Sequence, residues 1–230
     1  MKSEKLTNLR LSEEKRRYDD ACGLAHALEL IGERWALLVL RELMFGPRRF
    51  SELKADLPGI SANVLTQRLT ELEQRGLVRK VKLPPPASVH VYQATEWGLE
   101  AAPVIGWLGK WAARSPLHDP TLPISHVSVM LSLQTMLDQE RARSVRARLG
   151  FRLGEASYVA TLADARLDVE RREIDEACDV VFTAVPAELA AVVYGGAPLD
   201  SIAVEGDIGL ARRFVTLFPL PPKVEPGPRT

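Results

Sequence analysis

The stretch Pro58-Gly59-Ile60-Ser61-Ala62-Asn63-Val64-Leu65-Thr66-Gln67-Arg68-Leu69-Thr70-Glu71-Leu72 decides how the chain is read. Pro58-Gly59 is a turn signal. Ser61 brings the side-chain oxygen that a helix N-cap needs, and Gly76 supplies a stop, so a helix is predicted from Ser61 to about Arg75. Leu65, Leu69 and Leu72 recur at i, i+4 and i+7 and make one apolar stripe. The opposite face carries Asn63, Gln67, Thr70 and Gln74. That face is polar but almost uncharged, which is unusual for a merely solvated one. Asn and Gln can pair bidentately with adenine in the major groove. A helix-turn-helix presents the start of its second helix to base edges. Ser61, Asn63, Thr66, Gln67 and Arg68 are therefore the candidate base-reading residues. Taken alone, the same pattern also suits an ordinary surface helix, so its neighbours must decide.

Those neighbours are a short helix before and a hairpin after. Phe50, Leu53 and Leu57 point one way along a predicted helix from Phe50 to Leu57, which follows the Gly46-Pro47 break. Leu77 to Leu83 and Val89 to Ala94 read as strands, joined by Pro84-Pro85-Pro86-Ala87-Ser88. Basic residues surround the reading face. Arg48 and Arg49 precede the first helix, Arg79, Lys80 and Lys82 run up the first strand, and His90 lies on the second. These six are the candidate phosphate contacts, since a basic hairpin beside a recognition helix is what a wing needs to hold the backbone of duplex DNA.

Further out, helical spacing marks Asp19 to Ile31, Glu33 to Phe45 and Thr95 to about Ala113. Residues 1–17 read as a polar flexible arm, 18–115 as a winged helix-turn-helix domain for DNA binding and dimerisation, and 116–123 as a Pro-containing linker. The texture then changes. Ile124 to about Arg141 reads as an amphipathic helix, and apolar residues alternate through Val145 to Val185, as in Tyr158, Ala160 and Leu162. Pro186 to Tyr194 is a helix with Pro in its permitted first turn. Ile202 to Glu205 is a short strand and Ile208 to Phe218 a last helix. The second unit, 124–220, is predicted as an α+β domain with an antiparallel sheet, and 221–230 as a disordered tail.

Composition sets the bounds. The 230 residues are 46% apolar and 26% charged, with a formal net charge of zero. The charge is unevenly placed: residues 1–115 hold 18 Lys and Arg against 14 Asp and Glu, while the rest of the chain is net acidic. The first half can face phosphates and the second cannot easily do so. The longest apolar runs, such as Trp35 to Leu40, are far too short to cross a bilayer. Met1 to Arg17 lacks a signal-peptide core. Two cysteines, Cys22 and Cys178, make neither a disulfide framework nor a metal cluster. A cytoplasmic setting with no membrane, metal or cofactor is expected.

Several stretches together resemble the HxlR-type family of winged helix-turn-helix regulators. They are Glu33 to Leu43, Gly46-Pro47-Arg48-Arg49-Phe50-Ser51-Glu52-Leu53, Pro58-Gly59-Ile60-Ser61, Leu65 to Glu73 and Gly76-Leu77-Val78, with Tyr92, Thr95, Gly98 and Trp111 beyond. The resemblance covers about 40% of the chain, Cys22 to Ala113. It implies a homodimer built on the first and last helices of the domain, bound to a palindromic or near-palindromic operator. It also implies that Cys22 is a candidate redox sensor. Two features depart from the family pattern. Gly23 follows Cys22 where a Pro is usual, and the wing tip Pro84-Pro85-Pro86 carries no charge, which predicts a weaker grip. From Pro186 onward, Leu189 to Gly196, Ile202 to Asp207 and Leu210 to Phe218 resemble the sterol carrier protein type fold, which implies an apolar small-molecule effector.

Cys22 can be read two ways. Arg16, Arg17 and a helix N-terminus favour a thiolate, Asp19 and Asp20 oppose it, and an apolar setting would simply bury it. Cys178 lies among Asp175, Glu176 and Asp179, which disfavours a thiolate. An enzyme would need a polar constellation. The four histidines lie in different elements, and no phosphate loop, Gly-x-Ser-x-Gly or His-Glu-x-x-His occurs. The remaining alternative is a lipid-binding or protein-interaction module with a vestigial winged helix. The uncharged polar face of Asn63, Gln67 and Thr70 beside a basic hairpin argues against it.

Overall fold

The computed structural model describes residues 18–225, so the expected arm at 1–17 lies outside them. The first unit contains α1 (Gly23–Ile31), α2 (Ala36–Arg41), α3 (Phe50–Asp56), α4 (Ala62–Gln74), β1 (Val78–Lys82), β2 (His90–Ala94), α5 (Glu96–Leu99) and α6 (Ala102–Ala112). Leu40, Leu43, Leu53, Leu57, Leu65, Leu69 and Leu72 are fully buried together in its core. Each such Leu stabilises the fold by about 1.5–3 kcal/mol through the apolar surface removed from water. The stripe on α4 is thus what docks it, and its polar face is left outside.

Two predicted helices are interrupted. The helix expected over Glu33 to Phe45 begins only at Ala36, because Trp35 takes a left-handed backbone (φ 77°) as its N-cap. That turn carries the indole to the Pro58-Gly59 turn, where a side chain on Gly59 would come within 3.8 Å of the ring. The helix expected over Thr95 to Ala113 breaks after Leu99, and Pro103 opens α6 in a first-turn position where its missing N–H costs nothing.

The second unit contains α7 (His126–Met136), α8 (Gln139–Ala142), β3 (Ala147–Leu153), β4 (Ala156–Ala163), β5 (Arg166–Arg171), β6 (Val180–Ala184), α9 (Pro186–Tyr194), β7 (Ala203–Gly206) and α10 (Ile208–Val215). The sheet order is β5-β4-β3-β6-β7. One face presents Leu149, Phe151, Tyr158, Ala160, Leu162 and Phe182 to the core. The other carries charge, including Arg148, Arg152 and Asp168, as strand alternation requires.

The sheet is mixed, not antiparallel as expected, because β3 and β6 pair in parallel. The chain crosses over the charged face after β5 before β6 can join. Gly150 makes room for that crossover, since any Cβ there would lie 2.9 Å from Ile174 Cγ2. The Asp179 amide then donates to the Arg148 carbonyl at 2.7 Å beside the new ladder. A glycine in the middle of an otherwise regular strand was the one sequence signal of this approach.

α7 is not amphipathic. His126, Val127, Val129, Met130, Leu131, Leu133 and Met136 are all buried, so the helix is covered on every side. Val127 and Leu131 belong to the first unit's core, whereas Val129, Met130, Leu133 and Met136 belong to the second. Helix α6 also lies close to it, with Gly106 leaving no room for a side chain against Thr135. The two units are therefore packed together and not merely tethered by 116–123. The tail is likewise bound at its start. The Val224 amide donates to the Arg114 carbonyl at 2.8 Å, and Lys223 Nζ donates to the Ser115 carbonyl at 3.0 Å. These bonds set residues 222–224, within the expected tail, against the end of α6; 226–230 lie outside the described residues.

Candidate nucleic-acid interface

The reading face is built by α4. The Ser61 hydroxyl accepts from the Val64 amide at 3.2 Å and caps the helix. This satisfies one of the donors left open at a helix start and points the first turn outward. Asn63, Thr66, Gln67, Thr70 and Gln74 are all exposed, while Leu65, Leu69 and Leu72 face the core. The Thr66 and Thr70 hydroxyls donate back to the carbonyls of Ala62 and Thr66. Their methyls and oxygen lone pairs remain on the surface. Gln67 Nε2 donates to Glu71 Oε1 at 3.0 Å, so Gln67 must release that bond to pair with a base. Asn63 is nearer the helix start and lies one turn before Gln67.

Arg68 does not join this face. It is 6% exposed and its guanidinium lies 3.2 Å from Glu33 and 2.7 Å from Glu71. Position 68 lies on the core side of the stripe, three residues after Leu65 and one before Leu69. Arg68 therefore ties α4 to the turn before α2 and is not a base contact here. Arg48 departs in the same way. It is 3% exposed, with its guanidinium against Asp56, Glu52 and His126, so it offers nothing to a phosphate. Arg49, next to it, is exposed at the start of α3.

The hairpin pairs Val78 with Ala94 through Lys82 with His90. Alternation splits its basic residues between two faces. Lys80, Lys82 and His90 share one, with Tyr92 opposite Lys80 and its ring 5.7 Å from Lys80 Nζ. Arg79 lies on the other, where Nη2 donates to Gln93 Oε1 at 3.3 Å. All four basic residues are exposed. Lys80 is also steadied from α4, because its amide donates to Glu73 Oε1 at 3.0 Å. Wing and reading helix are thus directly connected.

Two further surfaces stand out. Leu24 and Leu28 on α1, and Val104, Trp107, Leu108 and Trp111 on α6, are exposed at helical spacing. Cys22 is exposed at the N-cap of α1. The Leu24 and Ala25 amides there lower its thiol below the ordinary value. Cys178 behaves oppositely: burial first, then Asp175, pushes its thiol up.

The first half of the chain is similar to known proteins. The family model of the HxlR-like helix-turn-helix matches residues 30–118. An uncharacterized HTH-type transcriptional regulator of Bacillus subtilis, YvaP, is 38% identical over 86 residues, which is 37% of this chain and 80% of that protein. The HTH-type transcriptional regulator YodB of the same organism is also 38% identical over 86 residues, covering 37% of this chain and 77% of YodB. The solved structure of reduced YodB is similar over 44% of this chain and 100% of its own, at 34% identity and a TM-score of 0.39. Residues beyond 118 fall outside the family model.

Proposed function

This chain belongs to the HxlR-like helix-turn-helix family of transcriptional regulators, and from that premise we propose how it reads DNA. The helix α4 enters the major groove, with Asn63 and Gln67 on base edges and Ser61 and Thr66 at the margin. Arg49, Arg79, Lys80, Lys82 and His90 hold phosphates on either side. The observation that carries this reading is the exposed, uncharged face of α4 flanked by an exposed basic hairpin. Two copies assemble through α1 and α6, whose leucines and tryptophans are otherwise left in water.

The test starts with selection of a duplex from a randomised pool by the full-length protein. The selected duplex should bind with log affinity falling steeply against log salt. Gln67→Ala and Asn63→Ala should each lose about 1–3 kcal/mol of discrimination at one base pair per half-site. Equal binding to all duplexes would reject sequence reading by this face.

Cys22 is proposed as a thiol sensor on the strength of its exposure and its position at the start of α1. The thiolate is the reactive form, so a lowered pKa raises reactivity at neutral pH. Iodoacetamide should therefore modify Cys22 well before Cys178 at pH 7, and the Cys22 rate should reach half its plateau at a lower pH than the Cys178 rate. Equal rates for the two would remove the sensor reading.

The C-terminal unit, read as sterol carrier protein-like, is the part proposed to answer an apolar effector. Phe151, Phe182, Phe214 and Phe218 stand with ring centroids 4.9–5.9 Å apart between the sheet and α10. An open groove of about 720 Å³ lies between α6, the end of α7 and β5, bordered by Trp107, Gln134, Leu137, Arg166 and Pro219. Lys110, Glu140 and Asp168 also line it, so its walls are more polar than an apolar effector would favour.

A further inference from the structure

We propose that Arg48, His126 and Tyr158 are positioning residues for DNA binding: one buried polar chain through which the C-terminal sheet fixes the wing. The inference rests on the DNA-binding reading above and adds to it a role for residues that lie away from the interface.

Arg48 contacts three elements, β2, α3 and α7, and reaches β4 through His126. Its peptide bonds to the wing: the Arg48 amide donates to the Tyr92 carbonyl at 2.8 Å, and the Tyr92 amide returns a bond to the Arg48 carbonyl at 2.8 Å. Its side chain turns the other way. The guanidinium bonds Asp56 in the last turn of α3, with Nε 3.5 Å from Glu52. Nη1 lies 3.1 Å from Nε2 of His126, the first residue of α7. His126 Nε2 is 3.3 Å from Asp56, and Nδ1 is 2.5 Å from the Tyr158 hydroxyl. Tyr158 is fully buried in β4, with its ring edge-on to Phe45 at 5.5 Å. Beside this chain, Ser125 at the cap of α7 donates to buried Glu42 at 2.8 Å, so the start of α7 is held twice.

Stability alone explains this arrangement poorly. A buried guanidinium and imidazole beside a half-buried carboxylate must shed much of their water, and apolar packing of the same volume commonly stabilises as well or better. Arg48 Nε makes no hydrogen bond, but the bonds of Nη1 and Nη2 leave the guanidinium a single geometry, and that is what a buried polar network adds. Here that geometry is shared, because the Cα of Arg48 carries both the wing bond and the junction. Movement of α7 or β4 is passed to Tyr92, and opposite Tyr92 in the hairpin stands Lys80, a proposed phosphate contact. Burial pushes the Asp56 carboxyl up, but the neighbouring His126 and the Arg48 guanidinium outweigh it and hold it below the usual carboxylate range. Desolvation pushes the Tyr158 phenol up, so it stays neutral.

The experiment uses full-length protein and the duplex selected by the wild type. Tyr158→Phe, His126→Gln and Arg48→Gln are titrated at three salt concentrations, below their melting temperatures. Hydrogen exchange at the Tyr92 amide is followed without DNA. Tyr158→Phe and His126→Gln should each weaken binding about five- to tenfold, in the range of ordinary site-to-site coupling. The slope of log affinity against log salt should not change, since no phosphate contact is lost. The Tyr92 amide should exchange faster in both. Two results would overturn the proposal. One is wild-type affinity for Tyr158→Phe and His126→Gln at a lowered melting temperature, which marks a purely structural seam. The other is a slope reduced by about one for Arg48→Gln alone, which marks a direct phosphate contact. If Arg48→Gln does not fold, Tyr158→Phe, which removes one oxygen, carries the test. If the wild type selects no duplex, the DNA-binding reading fails. The Tyr92 exchange rate then decides the junction by itself: unchanged exchange in Tyr158→Phe rejects it.

Discussion

Phe214→Ala should lower the unfolding free energy by about 3–5 kcal/mol, read as a fall in the urea midpoint with an unchanged slope. Phe214 is fully buried on α10 and touches three other rings: Phe151 at 5.9 Å, Phe182 at 5.6 Å and Phe218 at 4.9 Å. The truncation removes the largest group holding α10 to the sheet. Its neighbours cannot close the gap, because Phe151 and Phe182 are stacked on adjacent strands whose register is set. Both units should unfold in the same transition, since α7 contributes side chains to both cores. Two separate transitions would show that the shared helix does not couple them.

Gly98→Ala should destabilise by up to about 3 kcal/mol, the upper range for adding a methyl where there is no room. A Cβ at position 98 would lie 2.1 Å from the Leu77 carbonyl oxygen. That oxygen is backbone and already accepts from the Thr95 amide at 3.0 Å, so no side chain can swing aside. Either α5 or the start of β1 must move, and β1 is the basic strand of the wing. The melting temperature should fall, and affinity for the selected duplex should fall with it even in the folded protein. Unchanged affinity after refolding at low temperature would mean that the wing absorbs the shift elsewhere. Gly109, by contrast, meets no other atom of this chain within 4 Å, so Gly109→Ala should not lower the melting temperature.

Legibility in the sequence differs sharply between the two units. The stripe Leu65, Leu69, Leu72 and the cap Ser61 are local features, and the structure places them as their spacing implied. The exposed residues Asn63 and Gln67 follow from the same periodicity. Arg68 was misplaced by the same reasoning. A basic residue is ordinarily assigned to water, yet the helix turn carries position 68 to the buried side, where Glu33 and Glu71 receive it. Arg48 was misplaced because its partner His126 is 78 residues away along the chain. Nothing near Arg48 in sequence announces that contact.

What the sequence by itself determined is the set of elements and the face each presents: the helix-turn-helix, the basic hairpin and the alternating strands after Val145. Periodicity reports which side of an element avoids water, and turn residues report where it stops. What only the tertiary structure decided is what covers each face. It made α7 a helix buried on all sides, shared between two cores, where the sequence suggested one wet face. It set β6 parallel to β3 by laying Ile174 over Gly150. It buried the side chain of Arg48, expected at a phosphate, against His126. The physical reason is common to all three. Burial and charge pairing depend on the residue that arrives from elsewhere in the chain, and no local pattern encodes its identity.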